Sequence, residues 1–260
     1  MDVISKLRES STQNILTSSN LRRSQWCEME EDGFKLVKKK KKKNYEQFDE
    51  ESPLYLERVK KKFLEVKGMM VDSLQFFSFV KSIDEGLVNL DSPKVEEIVC
   101  YGLGNFSKSP NARYQYAMAV ELSEFYACPL LVFDPVFTEP EKKILEEMRS
   151  ELIPRNEMGK RKATKSTLFF LPHCPRELFN NILLANWGES LANCIIAGNN
   201  LASIVESTPS RSLKNEFPYL VNSFEHAEII EVKNTFQFLD VFNDMAVHVF
   251  PNKKILNSVC

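Results

Sequence analysis

Histidine and tryptophan are scarce in this 260-residue chain, with three and two residues, and glycine provides only eight. The six cysteines (27, 100, 128, 174, 194 and 260) form no close pair and no CxxC. Closed zinc spacing is therefore missing, and so is the cysteine density of a small disulfide scaffold; the thiols read as reduced. Long hydrophobic runs are missing too. None approaches the roughly 20 residues that a membrane-spanning helix needs. The opening residues, MDVISKLRESSTQN, lack the apolar core of a signal peptide, and a final Cys260 leaves no CaaX signal. Neither charge dominates: 34 basic residues face 36 acidic ones for a net charge of −2. Nucleic acid and acidic membranes are thus poor partners for the whole molecule. The expectation is a soluble protein of the cytoplasm, with the nucleus as a second location.

With 43% of its residues hydrophobic, the chain can bury a sizeable core. Residues 1–51 are polar and read as a disordered leader. They contain Asp32-Gly33-Phe34-Lys35-Leu36-Val37 and then six lysines, Lys38 to Lys43. That run is a solvated stretch, or a nuclear import signal or anion contact. Ser52-Pro53 opens an amphipathic helical segment, 52–94, with serine as cap and proline in the first turn. Its apolar stripe is Leu56, Val59, Phe63, Val66, Met70, Leu74, Phe77 and Val80, with a break expected near Gly68. The segment is expected to cover a core, with partner binding as the alternative.

From residue 95 to 260, short apolar runs alternate with helical stretches. Strands are expected at 98–101, 130–133, 167–171 and 193–197, and more weakly near 151–153, 228–232 and 246–250. Ser109-Pro110 opens a helix whose inner face would carry Tyr114, Ala117, Met118, Leu122 and Phe125. Thr138 and Glu141 form a capping box. A helix over 176–187 would bury Leu178, Phe179, Ile182, Leu183 and Trp187, and end at Gly188. The alternation predicts an α/β fold: a Rossmann-like, doubly wound, mostly parallel sheet with helices on both faces and an antiparallel edge pair at the C-terminus.

In such a sheet, ligands bind beyond the carboxyl ends of the strands. Those ends hold Gly102, Gly104 and Ser107, then Asp134, then His173-Cys174, and then Asn199. Gly102 and Gly104 match two glycines of a dinucleotide fingerprint, and Asp134 would be the ribose acid. An adenosyl ligand such as S-adenosylmethionine would use the same turn and acid. Otherwise glycine permits a tight turn and Asp134 braces a loop. His173 and Cys174 would make a thiolate dyad only if their side chains met. At the start of the next helix, the Cys174 thiol would have a lowered pKa. Cys128-Pro129 and Cys174-Pro175 are Cys-Pro dipeptides of the kind that can ligate haem. The cluster Arg155, Lys160, Arg161, Lys162 and Lys165 is a solvated loop or an anion contact at the rim. No triad and no metal set is complete, so no catalytic and no metal residue is assigned.

Taken in order, Val99-Cys100-Tyr101-Gly102-Leu103-Gly104, Ala112-Arg113 through Gln115, Asp134-Pro135-Val136-Phe137, Pro172-His173-Cys174, Asn186-Trp187 and Gly198-Asn199 resemble the sensitivity-to-red-light-reduced (SRR-like) family. The match spans roughly residues 95–205. Asp32 to Val37 before the basic run is similar to a short amino-terminal element of that family. The resemblance implies a regulator acting through protein partners. Its settings would be circadian clock input, light signalling in plants, and control of haem biosynthesis and clock-gene expression in animals. It implies no catalytic residues. Two readings stay open: a non-enzymatic regulator, and an enzyme or sensor that holds an adenosyl ligand or haem in the strand-tip crevice.

Overall fold

A computed structural model describes residues 52–251. The expected leader 1–51 and its lysine run lie outside them.

Seven strands form one sheet, in the order β3-β2-β1-β4-β5-β7-β6. They are β1 (Glu97–Tyr101), β2 (Leu130–Phe133), β3 (Ser150–Leu152), β4 (Thr167–Leu171), β5 (Cys194–Asn199), β6 (Glu228–Glu231) and β7 (Met245–Val249). The first five run parallel, as near-continuous apolar runs favour when both faces are covered. β7 is antiparallel to both β5 and β6. The reversed strand therefore sits one place in from the edge, and the outermost β6 is only half-buried.

Two apolar cores flank the sheet. The period of two sorts Ile98 and Cys100 of β1 onto one face, and Val99 and Tyr101 onto the other. β4 splits likewise, with Leu168 and Phe170 opposite Phe169 and Leu171. The first face is covered by α1 (Pro53–Val71), α2 (Leu74–Asn89), α3 (Pro110–Tyr126) and α4 (Glu139–Glu147). The second is covered by α5 (Arg176–Asn186), α6 (Leu201–Ser207), α7 (Ser210–Glu216) and α8 (Pro218–Phe224).

The helical segment breaks at Asp72-Ser73, not at Gly68. Ser73 caps α2 by accepting from the Phe76 amide, and a new helical phase begins there. Val59, Phe63, Val66 and Met70 of the expected stripe are buried. After the break the buried face becomes Phe76, Phe79, Val80 and Ile83, which leaves Leu74 and Phe77 exposed. In α3 the inner face includes Tyr116 rather than Phe125, which is exposed, and Tyr114 is only half-buried. Trp187 follows α5 as its cap and is likewise exposed.

Candidate functional site

Connections from β1 lead toward β2 in one direction, while β4 lies on its other side, so the chain order reverses between β1 and β4. A cleft of ≈ 690 Å³ opens at the carboxyl tips beside this switch point. Its walls come from the end of β1, the β2 tip, the β3–β4 loop and the first turns of α5.

The loop after β1 is held from inside. The Gly104 amide donates to Asp134 Oδ2 at 2.8 Å, and the Val136 amide to Asp134 Oδ1 at 3.0 Å. The Gly102 amide donates to the Phe133 carbonyl. The Ser107 amide donates to Glu141 Oε1 at 2.8 Å, while the amides of Lys108 and Ser109 are taken by Asn105. Glu141 is fully buried and also accepts from the Thr138 amide and hydroxyl, at 2.8 and 2.9 Å. The capping box is thus present, and its carboxylate reaches across to brace the loop. Gly102 and Gly104 both take positive φ, 70° and 75°. A Cβ on Gly102 would lie 2.5 Å from Cys174 Sγ, whereas one on Gly104 would meet nothing within 4 Å. Gly102 is therefore required by packing as well as by conformation, and Gly104 by conformation alone.

Beyond the loop, the Tyr101 hydroxyl donates to Glu157 Oε2 at 2.7 Å, and Arg161 grips both oxygens of Glu157 at 2.9 and 3.0 Å. Burial alone would push the Glu157 carboxyl up; Tyr101 and Arg161 together hold it below the usual range. The Tyr101 phenol is pushed well above its usual range, by burial and then by Glu157. Two members of the basic loop cluster are thus ion-paired rather than merely solvated: Arg161 on Glu157, and Lys165 on Glu97 at 3.1 Å.

His173 and Cys174 separate. His173, exposed and with φ 55°, places Nε2 3.1 Å from the Val241 carbonyl. Cys174 is buried and its thiol donates to the Tyr101 carbonyl at 3.1 Å. Burial, followed by the charge on Asp134, pushes that thiol up to about 12. The expected lowering at a helix start does not occur, because Pro175 and not Cys174 occupies the cap of α5. Buried and bonded to the Tyr101 carbonyl, the Cys174 thiol forms no dyad with His173, which turns to Val241, and it presents no open ligand to haem iron. Cys128 is half-buried, and its thiol is raised to about 11, chiefly by burial.

Of the seven expected site residues, Gly102, Gly104 and Asp134 line the cleft. Ser107 is buried behind it, with its hydroxyl on Asn105. Asn199 donates to the Cys174 carbonyl, and its buried Oδ1 has no partner. Asn156, Met158, Glu177 and Asn181 also line the cleft without having been singled out by sequence. No local signal marks them, because they come from a loop and a helix that only the fold brings to β1. Among the described residues, no three or more His, Cys, Asp or Glu side chains gather as a metal site, and no helix is long and apolar enough to cross a membrane.

The sequence pattern of the SRR1 domain matches residues 57–249. An SRR1-like protein of Drosophila melanogaster is 31% identical over 191 residues, 73% of this chain and 67% of its own length. An SRR1-like protein of Mus musculus is 35% identical over 127 residues, 47% of this chain and 51% of its own. The Arabidopsis thaliana protein Sensitivity to Red Light Reduced 1 is 30% identical over 153 residues, 55% of each. The chain thus spans about two thirds of the fly relative and about half of the other two. Among solved structures, a plantazolicin methyltransferase aligns at a TM-score of 0.37 with 12% identity, over 75% of this chain and 98% of that one. That likeness is too slight to bear on chemistry.

Proposed function

The chain belongs to the SRR1 domain family, and from that footing we propose that it is a non-enzymatic regulator working through protein partners. Its fields of action are clock input, clock-gene expression and the control of haem biosynthesis, in the cytoplasm and the nucleus. The Arabidopsis relative is named for reduced sensitivity to red light, which supports a signalling role over a metabolic one.

One observation favours a regulator over an enzyme. Each group at the strand tips that chemistry would draw on already carries a structural bond, although Asp134 keeps room to accept more. The Cys174 thiol is on a backbone carbonyl, Asp134 holds two amides, and Glu157 is clasped by Tyr101 and Arg161. A general base or nucleophile needs a free, tuned group within reach of substrate. Fold alone decides nothing here, since Rossmann-like sheets host many functions.

The test is rescue. In cells from which the chain has been removed, wild type is expected to restore clock-gene rhythm and the level of haem-synthesis transcripts. Cys174→Ala, verified as folded by its melting temperature, is expected to restore both equally. Failure of wild type to restore either would end the regulatory reading, and failure of the folded variant alone would turn it toward thiol chemistry.

A further inference from the structure

We propose that the cleft over β1 and β2 binds a nucleoside that carries no phosphate, neutral or cationic in charge. The inference stands apart from the regulatory reading, because binding is read on the purified chain and regulation in cells.

Size and position come first. A cleft of ≈ 690 Å³ at the switch point lies within the roughly 300–1,000 Å³ of small-molecule sites. Its wall includes Phe133, Val136, Met158 and Leu178. Val136 and Met158 are 52% and 58% exposed, so large apolar side chains face solvent around a concavity. A flat base inserted between them would remove that surface from water.

Charge then chooses among nucleotides. The lining residues include two carboxylates, Asp134 and Glu177, and no lysine, arginine or histidine. The amino end of α5 opens on the cleft and would attract an anion, but Glu177 already sits in its first turn. The turn after β1, where dinucleotide sites seat their pyrophosphate, has its amides at 102, 104, 107, 108 and 109 bonded internally. A phosphate brought here would meet like charge and find these donors occupied. Of the cations in the adjoining loop, Arg161 and Lys165 are held by Glu157 and Glu97, and none of the cluster is among the residues that line the cleft.

Asp134 supplies the positive recognition. Each of its oxygens accepts one amide, and a carboxylate offers about four lone-pair sites in all. The remaining capacity, at the tip of the second strand, suits the two hydroxyls of a ribose. Asn181 uses Nδ2 on the Met158 carbonyl, and Asn156 uses Oδ1 on the Met158 amide. Each amide side chain keeps its other end to read the edge of a base.

Calorimetric titration of the purified chain decides it, with adenosine as neutral probe, S-adenosylmethionine as cationic probe, and AMP and NAD as anionic probes. The expected result is binding of adenosine or S-adenosylmethionine at least tenfold tighter than that of AMP. Asp134→Asn is expected to weaken it about tenfold. Because Asp134 also braces the loop, Glu177→Lys on the exposed first turn of α5 provides the independent arm. It should improve AMP relative to adenosine severalfold, which a merely structural role would not do. AMP or NAD binding as tightly as adenosine would overturn the proposal. So would the absence of heat from both adenosine and S-adenosylmethionine at millimolar concentration.

Discussion

The strand tips of this sheet behave differently on its two sides. Over β1 and β2 they open into a cleft, with Asp134 half-exposed and apolar side chains facing water. Over β4, β5 and β7 the tips are tied down. His173 reaches the Val241 carbonyl, Cys174 that of Tyr101, and Asn199 that of Cys174. On this side His248 is wholly buried, taking the Leu201 amide on Nε2, so that Nδ1 carries the proton donated to the Ile196 carbonyl. Both sides end in small and polar residues. The difference is whether neighbouring chain satisfies or covers those groups before a ligand can: on the closed side the one unpartnered atom among them, Asn199 Oδ1, is buried, whereas the β1–β2 side leaves capacity open to a cleft.

Gly102 is where the two sides touch, and breaking it should give the largest effect. Gly102→Ala combines left-handed strain with overlap on Cys174 Sγ, for a loss of about 4 kcal/mol. Gly104→Ala carries the strain without the overlap and should lose only about 1–2 kcal/mol. Urea unfolding of Gly102→Ala with and without Cys174→Ala measures the overlap. Recovery of about half the loss in the double variant is expected, and no recovery would mean that the two residues are not in contact.

A smaller effect separates the sides by pH. Burial lowers the His248 pKa to about 4, against partial opposition from its bond to Ile196 and from Asp244. The unfolded chain, with a histidine near the usual 6.5, takes up the proton first, so this contribution is complete above that pH and is lost as pH falls toward 4. Between pH 7 and 5 the loss should be about 2 kcal/mol. Unfolding curves at the two pH values, compared with His248→Leu, isolate it. An equal slope in the variant would sink the assignment.

The smallest effect tests how firmly the closed side is held at its surface. His173→Asn tolerates the positive φ but drops the contact with Val241, and should lose no more than about 1 kcal/mol. A loss well above that, in a thermal melt, would make His173 a keystone rather than a surface tie.

All seven strands lie within two residues of the runs that pattern alone marks; for the five parallel ones the reason is that a buried parallel strand needs a continuous apolar run and little else. The caps at Ser52, Ser109 and Thr138 were equally legible, since each is a local bond over three residues. The phase of α2 was not. A stripe carried on at steady spacing past Met70 puts Leu74 and Phe77 inside, but Asp72 ends one helix and Ser73 caps the next, which rotates the face by a step that no periodicity contains. At the site, Gly102, Gly104 and Asp134 were visible as a turn and an acid. Glu177 and Asn181 looked like ordinary polar positions on α5, and became wall only because α5 packs beside β1.

By itself, then, the sequence determined the succession of elements, the two-sided burial of the sheet, and the place along the chain where a turn had to be glycine. Those properties depend on residues a few positions apart, and local sterics and hydrogen bonding settle them. Tertiary structure alone decided which loop amides were already taken, why Gly102 admits no side chain, and why the Cys174 thiol stays protonated. The partners in those contacts lie 30 to 73 residues apart, in Asp134 to Gly104, Glu141 to Ser107 and Cys174 to Tyr101. Their meeting is set by the order of strands in the sheet, and no local spacing encodes that order.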